Sequence, residues 1–222
     1  MAQDVDLRVL DDPAAAAAEL LADAARKRHV SSGAGGRTVG ATYRSAAGLA
    51  PDWSSVDVWW GDERAVPPDD ERSNFRLTRE TLLDLLEAAP RAVHRVEGEL
   101  GAEEAARRYD AALEGVTLDL ALNGIGADGH TASLFPHSPP LDEAERRAVA
   151  AEPKLEPFVP RVTLTPPVFA ATSVLVYLVT GLAKADAVRR AFVDEPSPAT
   201  PASLVRGRRT VALLDRGSAA RL

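Results

Sequence analysis

One histidine of this chain lies in a loop that is rich in glycine. Residues 120–136 read LALNGIGADGHTASLFP, so three glycines and Asp128 come shortly before His130. An imidazole titrates near neutral pH and can take up and return a proton, and a neighbouring carboxylate can orient it and favour its protonated form. The pair therefore predicts proton-transfer chemistry, with His130 as the general base and Asp128 as its partner.

The same residues allow other interpretations. The glycines could merely turn the chain, which would leave His130 as an ordinary loop residue. Asp128 and His130 could instead bind a metal, but no third ligand is evident nearby, and we predict no metal site. Ser133 does not lie in a nucleophile-elbow pattern, so a serine triad is not favoured.

Two cationic residues follow other apolar runs of the chain. Residues 56–60 lead through a glycine to Arg64, and residues 173–180 lead through a glycine to Lys184. In a parallel sheet the carboxyl ends of the strands lie at one edge, where ligands bind. We therefore expect Arg64 and Lys184 to converge with His130 on one anionic ligand.

Each cation also has a simpler explanation. Arg64 could pair with Asp62 or Glu63 at the surface, and Lys184 could be a solvated helix residue. The net charge of −7 argues against long-range attraction of an anion, so an anionic ligand would need a local cluster of cations. Arg161, which opens the alternating run RVTLTPP, is a weaker candidate for contact with the anion or with a carbonyl.

A second glycine-rich loop precedes a predicted helix near the N-terminus. Gly35 and Gly36 would let the backbone approach a phosphate, while Arg37 and Thr38 would add a charge and a hydroxyl. A flexible loop in solvent is an equally simple interpretation. The loop is therefore a candidate phosphate site.

The elements that must position these residues alternate along the chain. Strands are predicted over residues 6–10, 29–32, 56–60, 92–96, 118–122, 148–151, 173–180 and 211–214, with an alternating run from residue 161. Helices are predicted over residues 11–28, with basic residues in the last turn, after the loop at 33–36, from a cap at Ser73 to residue 86, over 101–113, from Thr131, and after Gly181. This alternation predicts an α/β fold: a three-layer, Rossmann-like arrangement of a mostly parallel sheet with helices on both faces.

Composition narrows the class of protein. No linker divides the 222 residues, so we expect a single domain over residues 1–222. The chain has no cysteine, which excludes disulfides, a thiol nucleophile and thiolate metal sites. It shows no signal peptide and no apolar run of about 18 residues, so we expect a cytoplasmic protein that binds neither membranes nor, given its negative charge, nucleic acid.

The motifs resemble the 6-phosphogluconolactonase family over nearly the whole chain. Four blocks carry the resemblance: VDVWWGDERAVPPDDERSNFRLTRETLL (residues 56–83), LALNGIGADGHTASLFP (120–136), RVTLTPP (161–167) and VTGLAKADAV (179–188). PASLVRG near the C-terminus also fits. The central pattern G-x-G-x-D-G-H-T-A-S-L-F-P is highly specific.

The resemblance implies a fold and an activity. The fold would be the one shared with glucosamine-6-phosphate deaminases and ribose-5-phosphate isomerases. The enzyme would be a carboxylic ester hydrolase that converts 6-phospho-D-glucono-1,5-lactone into 6-phospho-D-gluconate, the second step of the oxidative pentose phosphate pathway, without a cofactor. The implied partner is the phosphorylated sugar lactone. The oligomeric state stays open, with a monomer as a plausible state.

The chain departs from the family pattern at two places. The phosphate loop usually reads Ser-Gly-Gly-x-Thr-Pro, whereas residues 34–39 read AGGRTV, and an alignment shifted onto Ser32 and Gly33 is possible. Asn123 replaces an apolar residue just before the glycines, which adds a buried amide that needs partners.

Two rival functions remain at this point. A sugar-phosphate isomerase or deaminase on the same fold would bind a similar ligand, but the block DGHTASLFP favours the lactonase. A non-catalytic sugar-phosphate sensor would need an effector region, and the sequence shows no DNA-binding helix pair or basic patch.

Overall fold

The computed structural model describes residues 5–25, 27, 29–32, 37–50, 52–154, 156 and 158–222. The strands of this part are β1 Val5–Val9, β2 His29–Ser32, β3 Asp57–Trp60, β4 Asp62–Arg64, β5 Ala92–Val93, β6 Leu120–Asn123, β7 Ala148–Ala151, β8 Arg161–Leu164, β9 Val174–Val179 and β10 Arg209–Leu214. Its α-helices are α1 Pro13–Ala24, α2 Arg37–Leu49, α3 Asn74–Thr81, α4 Ala102–Ala112, α5 Pro166–Ala171, α6 Ala185–Phe192 and α7 Pro201–Leu204. Short 3₁₀ turns lie at Leu83–Leu85, Gly98–Leu100, Pro139–Asp142 and Leu182–Lys184.

Seven strands form a central sheet in which all neighbours are parallel. The order is β1-β10-β9-β6-β2-β3-β5. Strands β6 and β9 lie side by side near its centre, and every residue of both is buried except Val174, which is partly exposed. Continuous apolar strands of this kind suit a parallel sheet that is covered by helices. The predicted α/β class with a mostly parallel sheet is confirmed.

A second, antiparallel sheet of three strands was not predicted. Its order is β4-β8-β7, and it pairs Arg64 directly with Arg161. Residues 61–64 were expected to be a charged cluster that follows a strand, but residues 62–64 themselves form strand β4. The short sequence Asp-Glu-Arg has no strand signal of its own, because β4 depends on pairing with β8, about 100 residues later in the chain.

The helix caps follow the sequence signals more closely than the helix ends do. Asp12 accepts a hydrogen bond from the backbone N–H of Ala15 at 2.9 Å, and Ser73 accepts one from Arg76 N at 3.1 Å. However, α1 ends at Ala24 and has no basic residue in its last turn, contrary to prediction. Helix α3 ends at Thr81, so the predicted helix to residue 86 is too long.

The predicted helix from Thr131 is wrong. Residues 131–134 form a turn, closed by a hydrogen bond from Leu134 N to Thr131 O at 3.0 Å. Ala132 adopts the left-handed conformation, with φ of 49°, which a right-handed helix cannot contain. No helix N-terminus therefore follows the central glycine loop, and any N–H groups that face an anion there belong to the loop itself.

The described helices are all short. The longest, α2, has 13 residues. No helix in the described part of the chain has the length and apolar character that crossing a bilayer requires.

Candidate active site

The loop after β6 folds back on itself at two glycines. Gly126 N donates to His130 O at 2.8 Å, and Gly129 N donates to Gly126 O at 2.9 Å. Gly129 has a φ of 96°, which L side chains rarely adopt. A Cβ on Gly126 would lie 2.0 Å from His130 Nδ1, so only glycine lets the imidazole lie against the loop backbone.

His130 and Asp128 form the predicted pair. Their Nδ1 and Oδ1 atoms are 2.6 Å apart, and the backbone N–H of His130 donates to the same oxygen at 3.2 Å. Partial burial would raise the pKa of Asp128, but its hydrogen bond with His130 and the charge of a protonated His130 outweigh that effect and lower the pKa. An ionised Asp128 favours a proton on Nδ1, which leaves Nε2 as the basic nitrogen.

Lys184 lies close enough to Asp128 for their charges to interact. It precedes α6 directly, and Gly181, with φ of 95°, turns the chain from β9 toward it. Asp215 fixes this turn by accepting from Gly181 N at 2.9 Å. Burial lowers the pKa of Lys184, while the charge of Asp128 opposes this shift. Among the described residues, no carboxylate forms an ion pair with Lys184 within 4 Å, so its ammonium is available to an external anion.

Arg64 is fixed by neutral acceptors and forms no surface ion pair with the described residues. Its Nη1 donates to Arg72 O at 2.6 Å and to Asn74 Oδ1 at 2.8 Å. Its Nε is buried and has no hydrogen-bond partner in the described structure. Glu63 instead accepts from the backbone N–H groups at the start of α3, at Asn74 and Phe75. The proposed surface pairing of Arg64 is therefore not what the structure shows.

Arg161 is buried beside Arg64. Its Nη1 lies 3.9 Å from Asp62 Oδ2, and its guanidinium carbon is 5.5 Å from the ring centroid of Phe135. Burial lowers the pKa of Arg161, and the charge of Arg64 acts in the same direction while that of Asp62 opposes it. Two arginines thus lie next to each other, and Asp62 is a carboxylate close to Arg161.

The small sheet is attached to the segment that follows His130. Ser133 Oγ donates to Asp62 Oδ2 at 2.7 Å, and Ser133 N donates to Thr163 Oγ1 at 3.2 Å. The ring of Phe135 lies 5.0 Å from that of His130 and also contacts Arg161, as described above. The arginines and the imidazole therefore share one neighbourhood, and Ser133 has a carboxylate partner instead of the histidine that a serine triad needs.

The first glycine loop is described only in part. Gly35 and Gly36 lie outside the described residues, as does the side chain of Arg37, the first residue of α2. Thr38 Oγ1 lies 3.2 Å from Thr180 Oγ1. The start of α2 is therefore next to the end of β9, one residue before Gly181.

Sequence reasoning missed the residues that join these parts. Asp62 and Thr163 bond the segment after His130, and Asn74 bonds Asp62 and Arg64. Their signal in the sequence is only that they are polar residues within the motif blocks. Asn123, noted as an unusual amide, donates from Nδ2 to Thr131 Oγ1 at 3.1 Å. Its Oδ1 is buried and has no partner among the described residues, so the need for partners is only half met.

The described residues contain no group of three or more His, Asp or Glu side chains that is placed to hold a metal ion. The arrangement instead offers a base with its carboxylate, and three cations within the same region. Such a site can activate water and bind an anion at a distance from the base.

Comparison with known proteins places this chain in a family. Residues 7–213 match the family model described as glucosamine-6-phosphate isomerases/6-phosphogluconolactonase. A 6-phosphogluconolactonase of Mycobacterium tuberculosis is 37% identical over 194 residues, which cover 81% of this chain and 78% of the relative.

Solved structures extend the likeness. The crystal structure of 6-phosphogluconolactonase from Thermotoga maritima superposes with a TM-score of 0.81 at 29% identity, covering 96% of this chain and 100% of that one. A monomeric glucosamine-6-phosphate deaminase superposes with a TM-score of 0.84 at 21% identity, covering 99% and 100%, and this likeness shows a shared fold alone. The chain therefore belongs to the glucosamine-6-phosphate isomerase/6-phosphogluconolactonase family.

Proposed function

We propose that the protein is a 6-phosphogluconolactonase, which hydrolyses 6-phospho-D-glucono-1,5-lactone to 6-phospho-D-gluconate in the second step of the oxidative pentose phosphate pathway. The observation that carries the proposal is the 2.6 Å contact between His130 and Asp128 inside the motif DGHTASLFP. The relatives with 6-phosphogluconolactonase names, such as the one from Mycobacterium tuberculosis, support the same reaction.

The chemistry of the substrate explains why such a pair is needed. A δ-lactone is an ester, so its hydrolysis requires a water that loses a proton, a stabilised oxyanion and a proton for the leaving ring oxygen. His130 Nε2 takes the proton from water as the water oxygen bonds to the lactone carbonyl carbon. When the tetrahedral intermediate collapses, the bond from that carbon to the ring oxygen breaks, and His130 returns the proton to this oxygen. Asp128 stabilises the imidazolium between the two steps.

The phosphate of the substrate is the group through which the protein would orient the lactone. Arg64 and Lys184 are the proposed phosphate ligands, with Gly35, Gly36, Arg37 and Thr38 of the first glycine loop. The contact between Thr38 and Thr180 supports this grouping, because it brings the start of α2 to the strand end that leads to Lys184. Arg161 is the weaker candidate, for the phosphate or the developing oxyanion. Holding a distant phosphate converts binding energy into alignment of the lactone with the base.

We further propose that the protein is one α/β domain over residues 1–222, which acts in the cytoplasm on a small phosphorylated lactone and without a cofactor. A monomer is a plausible form.

Two substrates tested side by side would decide the reaction class. We expect accelerated loss of freshly made 6-phosphogluconolactone, above its spontaneous hydrolysis, and no ammonia from glucosamine 6-phosphate. Ammonia release, with the lactone hydrolysed only at its spontaneous rate, would show a deaminase instead. Binding of both compounds without turnover of either would favour a sensor.

A further inference from the structure

The outer side of the catalytic loop is bound to the C-terminal helices. The carbonyl of Ala127 accepts a hydrogen bond from Arg190 Nη2 at 3.0 Å, and the carbonyl of Gly129 accepts one from Ala202 N at 3.0 Å. These two carbonyls directly precede the two residues of the Asp-His pair. The peptide groups from which both side chains project are therefore anchored from outside the site.

Arg190 makes two hydrogen bonds that join the loop to the C-terminal segments. Besides the Ala127 carbonyl, its Nε donates to Thr200 Oγ1 at 3.2 Å. The side chain of Thr200 in turn lies against Gly129, with Cγ2 2.8 Å from the position that a Cβ would occupy there. One guanidinium thus ties the loop to α6 and to the segment that leads into α7.

The acceptors of Arg190 are neutral. Within the described part of the chain, Arg190 forms no ion pair with a carboxylate. A guanidinium that donates in two fixed directions gives geometric control, because its planar fork holds both acceptors at once. The arrangement therefore fixes the position of a backbone and does not supply charge to the site.

Helix α6, which carries Arg190, is packed into the core. Its residues Ala185, Ala187, Val188 and Ala191 are buried in the core. Lys184 lies just before the first turn of the helix, close enough to Asp128 for their charges to interact, while Arg190 lies in the last turn. The first turn of α6 thus directly follows a cation beside the Asp-His pair, and its last turn holds the backbone that carries the pair.

We propose that Arg190 is a positioning residue of the active site, which sets the orientation of His130 by holding the Ala127 carbonyl and Thr200. The inference rests on the proposed role of His130 as the base. Displacing a reacting group by about 1 Å can cost on the order of 10²-fold in rate, so loosening one of several anchors should cost less than that. The loss should fall on turnover, because within the described part of the chain the hydrogen bonds of Arg190 go to Ala127 and Thr200, neither of which is a proposed phosphate ligand.

The test compares Arg190→Ala with Arg189→Ala in the full chain. Arg189 is the matched control, because it is the preceding residue of the same helix and pairs with the exposed Asp194. For 6-phosphogluconolactone we expect Arg190→Ala to lower kcat about 10-fold with KM within about 2-fold, and Arg189→Ala to leave both within about 2-fold. Millimolar ethylguanidinium should restore part of the kcat of Arg190→Ala, a rescue that general loss of stability would not show.

A second variant tests the same role of Arg190 if Arg190→Ala does not fold. Thr200→Val removes one acceptor of Arg190 and keeps the shape that packs on Gly129, so we expect about a 3-fold loss of kcat with KM unchanged. In a folded double variant, the loss of kcat should be smaller than the product of the two single losses, because both substitutions remove the same hydrogen bond between Arg190 and Thr200.

Three results would overturn the positioning role: a wild-type kcat in Arg190→Ala, a raised KM with unchanged kcat, or an unaffected Thr200→Val. Each of these assumes an active wild-type enzyme. A wild-type protein without lactonase activity would instead contradict the proposed function, so the two failures are distinguishable.

Discussion

Arg64 and Lys184 belong to different elements, strand β4 and the 3₁₀ turn before α6, and they differ in burial and hydrogen bonding. Lys184 is half-buried and has no carboxylate partner within ion-pairing distance in the described structure, and Arg64 has a buried Nε without a partner there. An anion that approaches a protein of net charge −7 gains nothing from the overall field. Its affinity must come from short, charge-assisted hydrogen bonds, which these two residues are placed to donate.

The first prediction concerns these two residues and the phosphate. We expect Arg64→Ala and Lys184→Ala each to cost about 2–4 kcal/mol of transition-state stabilisation toward 6-phosphogluconolactone, because each removes a proposed charged ligand of the phosphate. Toward unphosphorylated glucono-1,5-lactone, the same changes should cost much less. The measurement is kcat/KM on both lactones.

The contrast between the lactones is the control for general damage, because a misfolded variant would lose activity on both. Equal losses in folded variants would mean that the residues act on the lactone ring or on the structure. The assignment of the phosphate site would then be wrong.

Residues close in sequence were easier to interpret than residues that meet through the fold. Asp128 and His130 are two positions apart in a glycine loop, so their contact follows from local geometry and could be predicted. Arg64 and Arg161 are neighbours only because β4 pairs with β8. No feature of either short segment shows that pairing, so the sequence made Arg161 only a weak candidate and left Arg190 out.

At the scale of elements, the loop between β6 and the following turn determines the geometry of the site. Its two internal hydrogen bonds bring the backbone of Gly126 under the His130 ring. The loop has little room for adjustment, because its outer side is held by Arg190 and Ala202. A change that adds volume on the inner side must therefore displace the imidazole or the carboxylate.

The second prediction tests this restriction with Gly126→Ala. A Cβ there would lie 2.0 Å from His130 Nδ1 and 2.5 Å from Asp128 Oδ1, so the pair must move apart. We expect kcat to fall about 10²-fold, in line with the cost of misplacing a catalytic group. Steady-state kinetics of the purified variant provide the measurement.

Gly124→Ala is the matched control in the same loop. Its added Cβ would meet only Leu178 O, at 3.9 Å, which is an ordinary contact. This variant should keep most of the activity. If both variants were equally active, or equally impaired, the steric account of the loop would be incorrect.

Sequence patterns predicted the buried strands and the helix caps correctly. Buried strands such as β6 and β9 are continuous apolar runs, and the caps at Asp12 and Ser73 have side chains that satisfy backbone N–H groups, so both were predictable. The turn after His130 was not, because Thr131 and the residues after it resemble a helix start. Their conformation is decided by tertiary burial and by the left-handed Ala132.

At the scale of the whole molecule, the parallel sheet brings distant segments to one edge. The ends of β6 and β9 are adjacent, which explains the proximity of Asp128 and Lys184. The antiparallel sheet adds Arg64 and Arg161 through the hydrogen bond between Ser133 and Asp62. The proposed mechanism uses proton transfer and anion binding, and these side chains are the groups that would carry out both.

The third prediction is that activity does not depend on a metal ion. Asp128 is already engaged with His130, and the described residues offer no cluster of three metal-ligating side chains. Lactonase activity should therefore survive dialysis against EDTA. Activity that disappears on chelation and returns with zinc or manganese would reverse the interpretation of Asp128 and His130 as a proton-transfer pair.

The most direct test of the account is the initial rate of proton release from freshly made 6-phosphogluconolactone, corrected for spontaneous hydrolysis, by the wild-type protein and by His130→Ala. We predict rapid, saturable release by the wild type. The variant, which lacks the base but keeps the phosphate ligands, should lose about 10²-fold or more in kcat while it still binds substrate. A folded His130→Ala protein that turns over near the wild-type rate at neutral pH would contradict the account.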